Sequence, residues 1–366
     1  MFPPIYRQHR NASIKTELET IMFNKSRTLS RVVVLVLSLA VLSAGSALAK
    51  EKKKPAGDFD YAKTGAFMRE MESRPDFPVA MVLANDYVYS LRALGSKIDT
   101  SHQNAIIALI KSLQLNNGGF VADKANKSAS ILYTDSALDT LGMLNAMNAV
   151  DTARVKSFAA SLKNPDGGFG FGPESKKSTL ATTYFAVRVL KATGGLDLVD
   201  KAKTAAYVKE FEKKEGGFGS VKGAGVADAR NTYMAAYVLN TLGQLDDASR
   251  KNAVKFLGST PYGGSKAKAM PDLNEQLYAI RALKELKATD RIDRKYAMAF
   301  MNRLYIKVNG GFGPLEGYGS TPDSTATGLR VLAELDKLKG VHVKAPKSAP
   351  QIVTAPKSMH TMQNMH

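Results

Sequence analysis

A glycine-rich stretch is the first part of this chain that could do chemistry. The sequence NPDGGFGFGPE occupies residues 164–174. Glycine-rich loops cradle phosphates when G-x-G-x-x-G follows a strand, or when a G-K-[ST] triplet closes a P-loop. Neither order is present in this stretch. We therefore expect a structural role for it rather than nucleotide binding.

Nucleophilic and acid–base chemistry has few residues to draw on. The chain has no cysteine, so no thiolate can attack a substrate and no disulfide can stabilise the fold. His102, in DTSHQN, is the one histidine in the body of the chain, and we expect it to be a surface or capping residue. A Ser-His-Asp or Cys-His arrangement cannot be built from these residues.

The N-terminal segment reads as an export signal. RVVVLVLSLAVLSAGSALA runs from Arg31 to Ala49, and its end, Ala47-Leu48-Ala49, resembles a cleavage site. We expect a signal peptide over residues 1–49, with Met22 as an alternative start and an uncleaved anchor as the alternative fate. The apolar core is short for a membrane span, so the expected product is periplasmic or secreted and has no stable transmembrane anchor.

The remaining chain divides by composition. Residues 50–57 form a basic linker, residues 58–340 a folded body, and residues 341–366 a Lys- and Pro-rich tail that we expect to be disordered. Thioethers and imidazoles suit copper, although we favour a chance grouping of these residues at the end of the tail. These residues are Met359, His360, Met362, Met365 and His366.

The net charge of +18 limits the partners. A basic exported protein can bind anionic lipid, envelope polymer or nucleic acid, or can simply gain solubility from its charge. The lysines are scattered and have no stacking aromatic residues among them. Nucleic acid is therefore not expected as a partner.

A repeat explains the glycine-rich stretch. Gly-Gly recurs at 118–119, 167–168, 216–217, 263–264 and 310–311, with first glycines 49, 49, 47 and 47 residues apart. A phenylalanine follows four of the five pairs, while Tyr262 precedes the fourth. Apolar residues at spacings of three and four between these corners predict two amphipathic helices per repeat. We expect each Gly-Gly to supply the positive φ that ends a helix.

Helical hairpins cannot bury both faces alone, so the repeats must stack. They can form an open solenoid or a closed ring. FDYAKTGAFMREMES near the N-terminus and DSTATGLRVLAELDKL near the C-terminus each read as one helix, and these two could pair to close a ring.

The corners resemble those of a known family. NPDGGFGFGP, KKEGGFGS and VNGGFGP are similar to the repeats of protein prenyltransferase β subunits, which are related to those of squalene and terpene cyclases. The resemblance covers about residues 80–340. It implies an all-α fold, an α/α toroid whose inner helices line a funnel for an isoprenoid. Five tyrosines would then face ligand, or else belong to the core: Tyr133, Tyr184, Tyr233, Tyr237 and Tyr278.

The same resemblance implies a zinc site, held by an aspartate, a cysteine two residues later and a histidine. Asp272 matches the aspartate, but Asn274 stands at the cysteine position and Thr321 at the histidine position. Zinc prefers nitrogen and sulfur ligands, so we expect no zinc and no other cofactor. The acidic motifs of terpene cyclases are also missing. Asp272 is the single candidate catalytic residue.

The resemblance further implies cations around a prenyl diphosphate. Arg230, Lys266 and Lys268 fall near those positions, and they could hold an anionic head group or form an ordinary basic loop. Three functions follow as hypotheses. The first is a zinc-independent binding module for an isoprenoid or other lipid. The second is an active prenyltransferase or cyclase. The third is a scaffold for a protein partner or envelope polymer, since prenyltransferase β subunits pair with a helical α subunit.

Overall fold

The fold consists of twelve α-helices and one short hairpin in the part of the chain that the computed structural model describes, residues 59–75, 77–78, 80–259 and 272–344. The expected signal peptide, the linker, the fourth Gly-Gly corner and the Met- and His-rich end lie outside these residues, as do Lys266 and Lys268. In the described residues no helix is both long and apolar enough to span a bilayer.

Six helices of 13 residues each form an inner layer and contact one another in sequence around a ring. The last contacts the first, so the ring is closed. The expected all-α toroid is confirmed. These inner helices are α2 (Met81–Ala93), α4 (Ile131–Met143), α6 (Leu180–Ala192), α8 (Ala229–Thr241), α10 (Leu273–Glu285) and α12 (Pro322–Glu334).

The other six helices lie outside the ring and bury one face against it. Between the two layers lies the core, which includes Tyr207, Phe158 and Phe300 from outer helices. The outer helices are α1 (Tyr61–Arg69), α3 (Thr100–Ser112), α5 (Thr152–Ser161), α7 (Lys201–Lys209), α9 (Asp247–Ser259) and α11 (Arg294–Leu304). Short 3₁₀ helices are Glu70–Ser73, Met147–Ala149, Leu196–Leu198 and Thr289–Arg291.

Each described Gly-Gly corner forms a small hairpin between an outer helix and the next inner one. At the last corner, β1 (Tyr305–Ile306) pairs antiparallel with β2 (Gly311–Phe312). A threonine then ties the start of the inner helix to the corner. The hydroxyl of this threonine, the fourth residue of the helix, accepts a hydrogen bond from the backbone N–H of the corner phenylalanine. The four bonds are Phe120 N to Thr134 Oγ1, Phe169 N to Thr183 Oγ1, Phe218 N to Thr232 Oγ1 and Phe312 N to Thr325 Oγ1, at 3.0–3.1 Å.

The Gly-Gly pairs do not end helices as expected. Helix α3 ends at Ser112, whereas Gly118 adopts its positive φ of 89° later, inside the hairpin turn. An added Cβ at Gly118 would lie 2.3 Å from the carbonyl oxygen of Arg154 in α5. The glycine is therefore required by close packing on the next outer helix as well as by its φ.

Ring closure also differs from the expectation in one respect. Helix α1 does contact α12, but α12 closes the ring by packing against α2. The fifth corner packs on α1 instead, because a Cβ at Gly310 would lie 2.5 Å from the backbone nitrogen of Thr64. The N-terminal helix thus completes the outer layer.

Candidate functional site

The axis of the ring holds a cavity of about 740 Å³, a volume typical of small-molecule sites. We call it the axial chamber. It lies along the C-terminal halves of the inner helices, and its walls carry many charged side chains. The lining residues are Asn85, Tyr89, Asp135, Ser136, Asp139, Met143, Arg188, Tyr233, Tyr237, Asn240, Arg281, Lys284, Glu285, Lys287, Arg330 and Glu334.

The register of the inner helices places these residues. Because the six helices have equal lengths and pack side by side around the ring, equal positions along them lie at similar levels around the axis. The ninth residue of every inner helix lines the chamber, and we call these six residues the axial belt. They are Tyr89, Asp139, Arg188, Tyr237, Arg281 and Arg330.

Ion pairs connect the belt to neighbouring helices. Arg188 Nε lies 3.2 Å from Asp135 Oδ1 of α4, and its Nη2 lies 3.3 Å from Asp139 Oδ1. On the other side of the ring, Glu334 of α12 accepts from Arg281 Nε at 3.0 Å and from Lys284 Nζ at 2.8 Å. Charged side chains therefore join adjacent helices where the axis is open to solvent.

The same belt spans the closure between α12 and α2. Arg330 Nη1 donates to Asp86 Oδ1, and its Nη2 donates to Asn85 Oδ1, both at 2.9 Å. Its guanidinium carbon lies 4.4 Å from the ring centroid of Tyr89, a cation–π contact. Asn85 Nδ2 donates in turn to Asp139 Oδ2 at 3.1 Å. The first and last repeats are thus joined by a polar network.

The structure brings four of the five predicted tyrosines together. Tyr184 lies with its ring centroid 5.7 Å from that of Tyr233 and 5.2 Å from that of Tyr237, and Tyr233 lies 5.8 Å from Tyr278. Tyr233 and Tyr237 line the chamber, whereas Tyr184 is buried beneath them. Tyr133 is half-buried and packs against the core. Their role as ligand contacts stays a prediction.

Burial changes the titration of two carboxyl groups at the chamber. Burial raises the pKa of Asp135 to about 7, against the opposing effect of Arg188 and with a smaller raising effect from Asp139. Burial likewise raises the pKa of Asp86 to about 7, with Arg330 opposing. Asp86 Oδ2 has no hydrogen-bond partner among the described residues. Both groups can therefore hold a proton near neutral pH.

The residues at the implied zinc positions do not fit that metal. Asp272 is the N-cap of α10, and its Oδ1 accepts from Glu275 N at 2.7 Å. Asn274 is exposed, and Thr321 caps α12 in a reciprocal arrangement with Ser324. An amide and a hydroxyl are poor zinc ligands, and both capping side chains are engaged with backbone. We derive no chemistry through zinc here.

The capping end of α10 is nevertheless acidic. Burial, together with the nearby carboxylates of Asp228 and Asp272, raises the pKa of Glu275 to about 7. Arg230 is exposed at the start of α8, and its guanidinium carbon lies 5.8 Å from the centroid of the Tyr278 ring. Nine residues separate Asp272 from Arg281, about 14 Å at a rise of 1.5 Å per residue. Arg230, at the start of α8, and the axial chamber therefore lie at different levels of the ring.

Two isolated residues lie away from the chamber. Asp246 caps the start of α9, where its Oδ1 accepts from Ser249 N at 2.8 Å. His102 lies in the first turn of α3, where its Nδ1 is 3.8 Å from Glu72 Oε1. Glu72 also accepts from Arg69 Nη1 at 2.7 Å and from the Tyr87 hydroxyl. His102 thus faces a buried polar cluster rather than solvent alone.

The belt cations and their partners were not predicted from the sequence. The family motifs lie at the helix starts, so they give no signal for Arg188, Arg281 and Arg330. A signal was present: Arg188, Tyr237 and Asp139 each follow the first glycine of their corner by 21 residues. Counting 21 residues from each corner would have found these three of the six belt residues.

Comparison with known proteins places the chain in a family. The model of the prenyltransferase alpha-alpha toroid domain matches residues 14–128, 78–172 and 121–268. These segments overlap and together cover more than half of the chain, so the protein belongs to the prenyltransferase α/α toroid family. The resemblance drawn from the Gly-Gly corners is confirmed. No curated protein sequence matches the chain significantly.

Solved structures agree on the fold. Protein geranylgeranyltransferase-I of Candida albicans, solved with GGPP, has a TM-score of 0.66 at 14% identity, covering 77% of this chain and 93% of that one. The type II terpene cyclase MstE of Scytonema, in complex with its substrate geranylgeranyl dihydroxybenzoate, has a TM-score of 0.52 at 14% identity, covering 76% and 96%. Identities this low establish the toroid alone, since one fold hosts many functions.

Proposed function

We propose that this protein is an exported, zinc-independent binding module that holds a lipid, isoprenoid or other, by its head group in the axial chamber. The observation that carries the proposal is the axial belt: three arginines and two tyrosines converge on one cavity of about 740 Å³. Guanidinium groups bind phosphate and carboxylate well, and tyrosine rings offer apolar contact with a polar tip.

The relatives lend support to the isoprenoid class. The geranylgeranyltransferase was solved with GGPP, and MstE acts on a geranylgeranyl compound. In this chain the chamber walls are charged above a floor of tyrosines, so an entirely apolar ligand would leave charged groups desolvated at a cost. A head group in the belt, with the hydrocarbon leaving past Met143 at the ends of the inner helices, avoids that cost.

Native mass spectrometry tests the proposal. The purified chain is measured with farnesyl or geranylgeranyl diphosphate, with and without zinc. We expect a stoichiometric adduct that is independent of zinc, lost in Arg281→Gln and retained in Arg230→Gln. An adduct that is lost in Arg230→Gln and retained in Arg281→Gln would place the ligand at Arg230 instead. If no adduct forms with either diphosphate or with acyl lipids, the lipid-binding proposal falls and a scaffold for a protein partner or envelope polymer takes its place. N-terminal sequencing of the protein recovered outside the cytoplasm tests export.

A second candidate, an enzyme, is favoured by one observation. Asp135 lies at the chamber wall with its pKa raised to about 7 by burial, which suits a general acid at neutral pH. The test is to incubate the chain with prenyl diphosphates and with linear polyprenes and to analyse the products. Turnover that is lost in Asp135→Asn would support an enzyme, and turnover that persists in that variant would exclude this acid.

A further inference from the structure

The two walls that face each other across the axial chamber carry opposite charges. In a closed ring of six helices, α4 and α10 are three positions apart and so lie opposite one another. Helix α4 contributes Asp135 and Asp139 to the lining and no cation. Helix α10 contributes Arg281 and Lys284, and Lys287 follows directly after its end.

The ion pairs do not cancel this difference. On the α4 side, one cation, Arg188, serves two carboxylates, those of Asp135 and Asp139. On the α10 side, one carboxylate, that of Glu334, serves two cations, those of Arg281 and Lys284. With all carboxylates ionised, the first group therefore has a formal charge of −1 and the second a formal charge of +1.

The remaining charges preserve the polarity. Lys287 adds a cation on the α10 side, and Glu285 adds a carboxylate there that accepts from Asn240 Nδ2 at 2.5 Å. These two offset each other. Arg330 is paired with Asp86 across the α12–α2 closure. The axial chamber thus has one acidic and one basic wall.

The groups at both walls can be reached by a ligand. The side chain of Asp139 is 44% exposed and that of Lys284 is 32% exposed, more than the other ion-paired groups of these two walls. A dianionic head group can bind Lys284 and Arg281 but places its other end against Asp139, and a cationic head group faces Lys284 and Arg281, so each binds less tightly than a group that carries both charges. Like charges held close together in a partly desolvated site repel strongly.

We propose, resting on the lipid-binding function above, that the head group in the axial chamber is zwitterionic, with a phosphate at Arg281 and Lys284 and a primary ammonium at Asp139. Both contacts are charge-assisted hydrogen bonds. The pairs that the ligand meets remain satisfied, because Glu334 keeps its place between the two cations and Arg188 still bonds to Asp135. A phosphoethanolamine group has the required chemistry.

Isothermal titration calorimetry with short-chain, monomeric lipids tests this inference. The purified chain is titrated at pH 8 with dihexanoyl phosphatidylethanolamine and with dihexanoyl phosphatidylglycerol, which keeps the phosphate and lacks the ammonium. We expect the ethanolamine lipid to bind at least about 10-fold more tightly, one charged contact being worth about this factor. Equal affinities would overturn the proposal.

Two variants separate the walls. Asp139→Asn should weaken the ethanolamine lipid about 10-fold and leave the glycerol lipid unchanged, while Lys284→Gln should weaken both. Asp197→Asn and Lys251→Gln change exposed residues outside the chamber and serve as matched controls. An Asp139→Asn variant that binds both lipids as the parent does would overturn the ammonium contact, and unchanged melting temperatures show that each variant is folded.

Two further titrations identify the source of the zwitterion and distinguish its failure from a failure of the lipid-binding function. Free phosphoethanolamine, without acyl chains, should bind more weakly than the lipid, and equal binding would assign the chamber to a small soluble zwitterion. Binding of geranylgeranyl diphosphate without preference for ethanolamine lipid would overturn the zwitterion and leave the lipid-binding function standing. Failure of every lipid would remove both.

Discussion

Arg330 and Asp86 join the two ends of the ring. Their side chains are separated by 244 residues in sequence, yet Arg330 Nη1 lies 2.9 Å from Asp86 Oδ1. The pair is largely buried, with side-chain exposures of 16% and 5%. A desolvated ion pair therefore joins helices α12 and α2 in addition to apolar packing. The buried carboxylate of Asp86 relies on the guanidinium of Arg330 to balance its charge.

Removing this guanidinium should loosen the closure. We expect Arg330→Met to lower the free energy of unfolding by about 3 kcal/mol, because it leaves the Asp86 carboxyl buried beside an apolar chain. Burial raises the pKa of Asp86 to about 7, and Arg330 opposes this effect. Without Arg330 the carboxyl is easier to protonate, so the loss should be larger at pH 8 than at pH 5. Urea denaturation at both pH values measures it.

A surface pair supplies the comparison. Arg291 and Asp290 are 3.3 Å apart, but their side chains are 66% and 75% exposed. Arg291→Met should therefore change the free energy of unfolding by less than about 0.5 kcal/mol. Adding Asp86→Asn to Arg330→Met should recover part of the loss. Equal effects of Arg330→Met and Arg291→Met would contradict a structural role for the closing pair.

The contact of the fifth corner with α1 makes a second prediction. Gly310 has φ 78°, and a Cβ there would lie 2.5 Å from the backbone nitrogen of Thr64. Gly310→Ala should destabilise by about 2 kcal/mol or more, since strain and a backbone clash act together. Gly317 has φ 85° with open space around it, so Gly317→Ala should cost only about 1 kcal/mol. Thermal unfolding of the two variants measures the difference, and equal losses would show that φ alone matters.

Much of the architecture was predictable because it repeats. Gly-Gly pairs at nearly constant spacing identified the corners, and apolar periodicity identified two helices per repeat. The prediction that the positive φ ends a helix was wrong, because sequence spacing does not show that Gly118 packs on the backbone of Arg154. That contact joins different repeats, and only the assembled ring reveals it.

The chamber was harder to predict for a physical reason. An arginine inside an apolar helix, such as Arg188, looks in the sequence like an interruption of the apolar face. In the ring this side chain faces the axis, and its ion-pair partner lies on a neighbouring helix. The partner, Asp135, is 53 residues away in sequence. Tyrosines were predicted there because they fit both core and lining, and the structure places Tyr233 and Tyr237 at the lining.

The corner hydroxyls make a third prediction. Thr183 Oγ1 accepts from the N–H of Phe169 at 3.1 Å and donates to the carbonyl of Thr179 at 2.8 Å, in a fully buried place. Thr183→Val keeps the shape and leaves the Phe169 N–H without a partner, so we expect a loss of about 1–3 kcal/mol. Thr183→Ser keeps the hydroxyl and should lose less. Chemical denaturation decides, and a Val variant as stable as the parent would show that this bond is dispensable.

The last prediction concerns the buried carboxyl of the chamber. Burial raises the pKa of Asp135 to about 7, above the value of about 3.9 that an unfolded aspartate has. The folded state therefore holds this proton more tightly than the unfolded state. The resulting stabilisation is fully present below about pH 4 and is lost as the pH rises to about 7.

Asp135→Asn removes this titration and keeps a side chain that can accept from Arg188. The free energy of unfolding of the variant, minus that of the parent, should therefore become more positive between pH 5 and pH 8, by on the order of 2 kcal/mol. Asp197→Asn, at an exposed position, should show no such trend. A difference that instead stays flat from pH 5 to pH 8 would mean that Arg188 holds Asp135 as a carboxylate throughout this range. Asp135 could then not supply a proton in the chamber at neutral pH, and the acid-catalysed alternative would lose its one supporting observation.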